Sequence, residues 1–71
     1  MKKYLVIIEK AGTGYGAYVP DLPGCVATAP TKDEVEHLIF EGIRFHLEGL
    51  ALEGLPIPEA SSEAETMVFS Y

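Results

Sequence analysis

Cysteine and tryptophan are nearly missing from this 71-residue sequence, which has one cysteine, Cys25, and no tryptophan. A single cysteine cannot form a disulfide within the chain, and it offers no second thiolate for a structural zinc site. Apolar runs are also short. None approaches the ~20 residues of a transmembrane helix, and Met1 to Tyr4 leads into a strand without the apolar region of a signal peptide. We therefore expect a cytoplasmic protein that does not associate with membranes.

Basic residues are scarce, and the charge is unevenly distributed. Residues 1–31 carry three lysines against Glu9 and Asp21, a net charge of +1, whereas residues 32–71 carry two basic residues against nine carboxylates, a net charge of −7. Such a surface repels phosphate backbones and attracts basic proteins, so we expect no direct binding to nucleic acid. An acidic surface that serves solubility explains the charge equally well.

Apolar residues make up 48% of the sequence, which is a large share for a protein of this size. A chain this short buries only a modest fraction of its unfolded surface. We interpret residues 1–71 as one domain. We expect a homodimer or higher homo-oligomer, or a protein partner, to cover the surplus apolar surface.

Alternation of apolar residues predicts three strands in the first half of the chain. Lys3 to Glu9 is apolar on both of its alternating faces, which is typical of a central strand covered on both sides. The glycine-containing turn at 11–14 then reverses the chain into Tyr15 to Val19, which predicts an antiparallel hairpin. Val26 to Ala29 is a short third strand that ends at Pro30.

A helix follows, from Lys32 to about Gly49. Thr31 and Glu34 form a capping box at its start. The predicted core-facing stripe consists of residues spaced three or four apart: Val35, Leu38, Ile39, Gly42 and His46. We expect His46 to be buried and hydrogen-bonded to backbone or to a tyrosine, with a pH-sensitive interface as the alternative.

A second group of apolar residues widens the apolar arc of this helix to roughly 200°, more than one sheet face can cover. This group, the helix flank, consists of Phe40, Ile43, Leu47 and Leu50. We predict that the helix flank contacts a second copy or a partner protein. We also predict that Glu41 and Glu48, on the polar side, supply negative charge that attracts a basic partner.

The last segment of the chain predicts a fourth strand. Gly54 to Pro58 ends the helix, and Glu65 to Tyr71 then alternates, with Met67 and Phe69 on the same face as Tyr71. A helix between the third and fourth strands allows a crossover that makes the last strand parallel to the first. The predicted architecture is α+β, in the order βββαβ.

The six residues Pro20-Asp21-Leu22-Pro23-Gly24-Cys25 join the second and third strands. Proline fixes φ, and glycine takes a positive φ without strain, so this composition is typical of a rigid turn. We interpret the segment as a structural turn that sets strand register. Cys25 lacks an evident base or activating charge, so we interpret it as a small, partly buried side chain rather than a nucleophile.

The aromatic second strand, the Pro20–Cys25 turn and Thr31-Lys32-Asp33-Glu34 at the helix start together resemble the HicB family of type II toxin–antitoxin antitoxins. Gly54–Pro58 and Arg44–Leu50 are also similar to that family. The resemblance implies a truncated ribonuclease H-like fold with sheet order 3-2-1-4 and one main helix. It also implies a partner, a basic HicA-like toxin that cleaves messenger RNA, whose active surface the antitoxin covers. Since the sequence stops at Tyr71, we expect no C-terminal DNA-binding domain.

Catalysis is not expected. A ribonuclease H-type site needs several carboxylates around a divalent metal, the first of them in the middle of strand one. That strand offers Val6 to Ile8, with Glu9 only at its end, and His37 and His46 lie on opposite sides of the helix. We expect no metal and no cofactor. Two functions stay open: neutralisation of a toxin, and a solitary homo-oligomeric domain that binds a small molecule or another protein.

Overall fold

Three strands and one helix make up the regular structure of the chain. The computed structural model describes all residues from Met1 to Tyr71, and the elements are β1 Ile7–Ala11, β2 Gly14–Tyr18, β3 Val26–Ala29 and α1 Lys32–Leu52. The strands form one antiparallel sheet in the order β1-β2-β3. The predicted α+β class, the antiparallel arrangement of three strands, and the positions of β2 and β3 are confirmed.

The helix begins at the predicted cap. Thr31 has extended backbone (φ −127°, ψ 159°), and its Oγ1 accepts a hydrogen bond from the Glu34 N–H at 3.2 Å. One N–H of the first turn, which has no partner inside the helix, is thereby satisfied. α1 ends at Leu52, slightly beyond the predicted end. It is not apolar enough to cross a membrane.

Removal of this cap gives a first prediction. Thr31→Ala should lower the free energy of unfolding by about 1 kcal/mol, because the Glu34 N–H loses its acceptor. Thr31→Ser is the matched control, since serine keeps the hydroxyl and should stay close to the wild type. Urea unfolding followed by far-UV circular dichroism at fixed protein concentration measures both variants. Equal stability of the alanine and serine variants would contradict the role of the cap.

The core lies between α1 and one face of the sheet. Its buried members are all apolar: Ala17, Val19, Leu22, Cys25, Val35 and Ile39. Val35 and Ile39 therefore confirm the predicted stripe. Leu38 does not belong to it, because its side chain is 48% exposed. α1 packs mainly over β2 and β3, which leaves the β1 side of the sheet less covered.

The first strand differs from its prediction in position and in surroundings. β1 starts at Ile7 rather than near Lys3, and it lies at one edge of the sheet instead of the centre. Tyr4, Val6 and Ile8 pack against the core. Because side chains alternate along an extended chain, Leu5 and Ile7 lie on the face that no helix covers. The prediction that the first strand is covered on both sides is therefore wrong for the single chain.

The predicted fourth strand is also wrong for the single chain. No strand, turn or bend occurs from Leu55 to Tyr71, and residues 63–71, called the tail below, are exposed throughout. The radius of gyration is 14.0 Å, against about 11 Å for a compact chain of this length. A strand requires a hydrogen-bonding neighbour, and the tail has none within its own chain. In the sheet order 3-2-1-4, the place of a fourth strand beside β1 therefore stays a prediction.

Candidate binding surfaces

The turn between β2 and β3 is ordered by its own backbone. The Val19 N–H donates to the Cys25 carbonyl at 3.2 Å, the Leu22 N–H to the Val19 carbonyl at 3.0 Å, and the Cys25 N–H to the Leu22 carbonyl at 3.1 Å. Gly24 has a φ of 84°, a conformation that costs other residues about 1–2 kcal/mol. Leu22 is 0% exposed. The turn therefore places one of its own side chains at the centre of the core.

Asp21, in the same turn, holds a distant part of the chain. Its Oδ2 accepts hydrogen bonds from the N–H groups of Ser61 at 3.0 Å and Ser62 at 3.1 Å. Its Oδ1 accepts from the hydroxyl groups of the same two serines, each at 3.0 Å. These bonds favour the ionised form, so they hold the pKa of Asp21 below its ordinary value, the Ser61 N–H contributing most. We call this arrangement the Asp21 clamp.

Two further contacts fix the chain just before the clamp. The Tyr4 hydroxyl donates to the Pro58 carbonyl at 2.6 Å, and Lys2 Nζ lies 2.7 Å from Glu59 Oε1 at the surface. Residues 55–62, called the connector, thus run past the start of the first strand and on to the turn after β2. Sequence reasoning missed these contacts, because their partners are 40 or more residues apart and no local pattern records them.

The clamp predicts a pH-dependent contribution to stability. Asp21→Asn should free the connector, because an amide offers one neutral acceptor where the carboxylate offers two charged oxygens. Amide exchange at Ser61 and Ser62 should become faster. Because the pKa of Asp21 is lower in the folded chain than in the unfolded one, the stabilisation is complete above the unfolded pKa and is lost as the pH falls through the folded pKa.

The difference in stability between wild type and Asp21→Asn should therefore be constant near neutrality and shrink below about pH 4. Hydrogen exchange and urea unfolding across a pH series measure it. Glu63→Gln, which alters an exposed carboxylate beside the clamp, is the control and should change neither quantity. A wild-type advantage that persists undiminished at low pH would contradict the clamp.

An apolar cleft of about 350 Å³ opens beside β1. It lies between the start of the chain and the first half of α1, and its apolar lining residues are Tyr4, Val6, Ile8, Ile39, Phe40 and Ile43. We call it the edge cleft. Lys2 and Glu36 stand at its border. α1 packs mainly over β2 and β3. The edge cleft therefore lies where the helix extends past β1, the strand at this edge of the sheet.

The helix flank is not one exposed patch. Ile43 and Leu47 are half-buried against the core, Leu50 is half-buried farther along the helix, and Phe40 is 62% exposed. Phe45, which the sequence interpretation did not single out, is 79% exposed. Its position inside Arg44–Leu50 was the available signal. The interface role of these residues stays a prediction.

The acidic side of α1 faces solvent. Glu41 and Glu48 are both exposed, and Glu41 Oε1 lies 3.7 Å from Arg44 Nη2, one turn along the helix. A surface pair of this kind contributes between zero and about 1 kcal/mol. Both carboxylates are therefore accessible to a partner.

His46 and Cys25 line a second cavity, of about 390 Å³, beside the turn. His46 is half-buried and makes no side-chain hydrogen bond, so the expected bond to backbone or tyrosine was wrong. Burial raises the pKa of the Cys25 thiol. A neutral thiol is a poor nucleophile, which agrees with the interpretation of Cys25 as a packing residue.

Glu9 requires a correction. Because β1 spans Ile7–Ala11, Glu9 lies in the middle of the strand and not at its end. Its side chain is exposed, opposite Gly16 on the face that no helix covers. No group of three or more His, Cys, Asp or Glu side chains in the chain is arranged to hold a metal ion.

Comparison with known proteins identifies the family. The model of the HicB-like antitoxin of bacterial toxin–antitoxin systems matches residues 4–69. The chain belongs to the HicB-like antitoxin family. The match contains the turn, the clamp, the edge cleft and all of the tail except its last two residues. No solved structure matches the chain significantly.

Curated relatives of this HicB-like chain differ in length. A UPF0150 protein of Thermoplasma acidophilum is 41% identical over 66 residues, which cover 92% of this chain and 96% of that protein. A UPF0150 protein of Synechocystis is 37% identical over 57 residues, covering 79% and 72%. A 14.9 kDa protein of Haemophilus phage HP1 is 36% identical over 58 residues, covering 82% of this chain and 44% of the phage protein. The HicB-like chain thus spans less than half of that phage relative.

Proposed function

We propose that this HicB-like chain is an antitoxin module that binds a basic, HicA-like, mRNA-cleaving toxin and neutralises it by covering its active surface. The observation that carries the proposal is the family match over residues 4–69. A cytoplasmic location belongs to the same proposal, since messenger RNA is the toxin's substrate.

The charge of the chain supports a basic partner. The net charge is −6 at pH 7. α1 exposes all five of its carboxylates: Asp33, Glu34, Glu36, Glu41 and Glu48. Opposite charges steer two proteins together, and exposed aromatic side chains such as Phe40 and Phe45 supply contact area once they meet. An RNA-cleaving protein needs a positively charged surface. The acidic side of α1 has the opposite charge and so complements such a surface.

We also propose that the chain acts by binding and not by catalysis. The purified protein should show no cleavage of single-stranded RNA, duplex RNA or RNA–DNA hybrid in the presence of magnesium or manganese. Cleavage that survives rigorous purification and disappears in Glu9→Gln would contradict this, because Glu9 is the one carboxylate in the middle of β1.

Neutralisation is tested by asking whether a reading frame beside this gene encodes a small basic protein, and by expressing that protein. We expect that protein to arrest growth when expressed alone, and co-expression of this chain to restore growth. The two proteins should also co-purify. Growth arrest that this chain does not relieve, or a neighbouring basic protein that does not bind it, would overturn the proposal.

Steering by charge gives a prediction for the kinetics of that complex. Glu41→Lys together with Glu48→Lys should slow association several-fold, because charges act over about 8–10 Å at physiological salt. Dissociation should change less, since desolvated contacts determine it. Glu9→Lys together with Glu63→Lys makes the same change in net charge away from α1 and is the matched control. Stopped-flow mixing across a salt series separates the two pairs, and equal slowing would show that α1 is not the docking side.

A solitary homo-oligomeric domain, without a toxin, is the alternative function. One observation favours it: the chain leaves apolar side chains uncovered in the tail, in Phe40 and in Phe45, and a second copy would cover them as well as a toxin would. The absence of any basic protein encoded nearby, combined with a stable oligomer of the chain alone, would favour this alternative.

A further inference from the structure

Two parts of the chain lack a neighbour: the outer edge of β1 and the tail. β1 is the end strand of the sheet, so the backbone N–H and C=O groups along its outer edge have no ladder partner. The tail is exposed along its whole length and belongs to no strand. An unpaired sheet edge is a template for another extended segment.

The tail has the side-chain pattern of a strand that is apolar on one face. Along extended chain, alternate side chains point the same way, and the alternate residues here are Met67, Phe69 and Tyr71, with Thr66, Val68 and Ser70 on the other face. The first three are all exposed, Phe69 at 80%. The tail therefore presents one row of large apolar side chains without anything packed against it.

The edge cleft lies where such a row would be buried. Tyr4, Val6 and Ile8 line it from the β1 side, and Phe40 and Ile43 from the helix side. A strand added to the outer edge of β1 would extend the sheet beneath the part of α1 that lies beyond β1 in the single chain. Its apolar row would fill the cleft and cover Phe40.

The path of the connector leads the tail away from the β1 edge of its own chain. The connector passes Tyr4 at Pro58 and then reaches Asp21 at Ser61 and Ser62, so it crosses the end of the sheet from β1 towards the turn after β2. To return, the tail needs a reversal after Ser62. Residues 63–69, where that reversal would have to occur, contain no Gly, Pro, Asn, Asp or Ser, the residues that dominate tight turns.

The exposed area of the single chain is large enough for a dimer. It is 5808 Å², about 1,500 Å² more than the ~4,300 Å² of a compact monomer of the same mass. A standard protein interface buries about 800 Å² on each partner. The excess on each copy is therefore larger than the area that such an interface buries.

We propose that two copies of this chain exchange tails, residues 63–71 of each copy adding a strand to the outer β1 edge of the other and filling its edge cleft with Met67, Phe69 and Tyr71. The exchange is reciprocal, so a two-fold axis closes it into a dimer. It goes beyond the antitoxin proposal and does not depend on a toxin.

Light scattering of the purified chain tests the assembly. The wild type should show twice the 7.7 kDa chain mass. Phe69→Asp should raise the dimer dissociation constant by about 30-fold or more, because an anchor residue of an interface is replaced by a charge. Ser70→Asp is the matched control: it places the same charge on the opposite face of the tail and should leave a dimer. Circular dichroism verifies that each variant keeps its helix.

Mixing two variants separates tail exchange from every other dimer. Phe69→Asp has a defective tail and an intact cleft, whereas Phe40→Asp has an intact tail and a defective cleft; Phe40 is exposed, so its replacement spares the core. Each variant alone should be monomeric. Their mixture should form a heterodimer through one exchanged tail, visible by native mass spectrometry with one chain isotopically labelled.

Three results would overturn the proposal. A monomeric wild type would mean that the cleft receives the chain's own tail or a different protein. A dimer that persists in Phe69→Asp and is lost in Phe40→Asp would place the helix flank, and not the tail, at the interface. Failure of the two variants to form a heterodimer when mixed would exclude pairing between tail and cleft.

Discussion

Leu22→Ala should lower the free energy of unfolding by about 2–5 kcal/mol, the range for removal of a fully buried leucine side chain. Leu22 is 0% exposed although it lies in a turn, and it belongs to a core of only six buried residues. The turn holds its backbone through the bonds to Val19 and Cys25. The backbone at position 22 therefore cannot shift to fill the space that the substitution leaves.

Leu38→Ala is the matched control for this prediction. It deletes the same atoms from a side chain that is half exposed, and it should cost less than about 1 kcal/mol. Leu22→Met, which nearly conserves volume, should cost less than about 1.5 kcal/mol and stays measurable if the alanine variant does not fold. Urea midpoints at one protein concentration compare the three variants. Equal losses at Leu22 and Leu38 would show that the turn contributes nothing to the core.

Gly14→Ala should destabilise the chain by about 1–3 kcal/mol, the range for overpacking. A Cβ at Gly14 would lie 2.6 Å from the carbonyl oxygen of Ala29, and the obstructing atom is backbone rather than a flexible side chain. β2 and β3 would have to separate locally to admit it.

Gly16→Ala tests whether this cost comes from the contact or from glycine itself. Gly16 lies in the same strand. A Cβ added there would lie 4.0 Å from the Ala27 carbonyl oxygen, the nearest atom, which is an ordinary van der Waals distance. Alanine also loses less backbone entropy on folding than glycine, so Gly16→Ala should be neutral or slightly stabilising. The two variants should differ in thermal midpoint, and a common loss at both sites would contradict the steric explanation.

Features that depend on neighbouring residues were predictable from the sequence. The hairpin between β1 and β2, the cap at Thr31 and the burial of Val35 and Ile39 follow from turn chemistry, capping and helical periodicity. These interactions join residues a few positions apart, so the local pattern records them. The rigid turn at Pro20–Cys25 was recognised for the same reason.

Features that depend on distant or missing neighbours were not predictable. The two apolar faces of residues 4–8 predicted a central strand covered on both sides, but β1 begins only at Ile7, lies at the edge of the sheet and is open on one side in the single chain. The alternation in Glu65 to Tyr71 predicted a fourth strand, but a strand requires a hydrogen-bonding partner and the tail has none within the single chain. The Asp21 clamp joins residues 40 positions apart, and a carboxylate in a turn does not reveal what it will bind.

The six buried side chains all lie between Ala17 and Ile39, a short stretch in the middle of the sequence. Contacts between residues that are close along the chain form quickly, because little loop entropy opposes them. We therefore expect the interior to assemble early in refolding, before Ser61 and Ser62 reach Asp21. The carboxy-terminal segment should then dock last, onto a body whose interior has already formed.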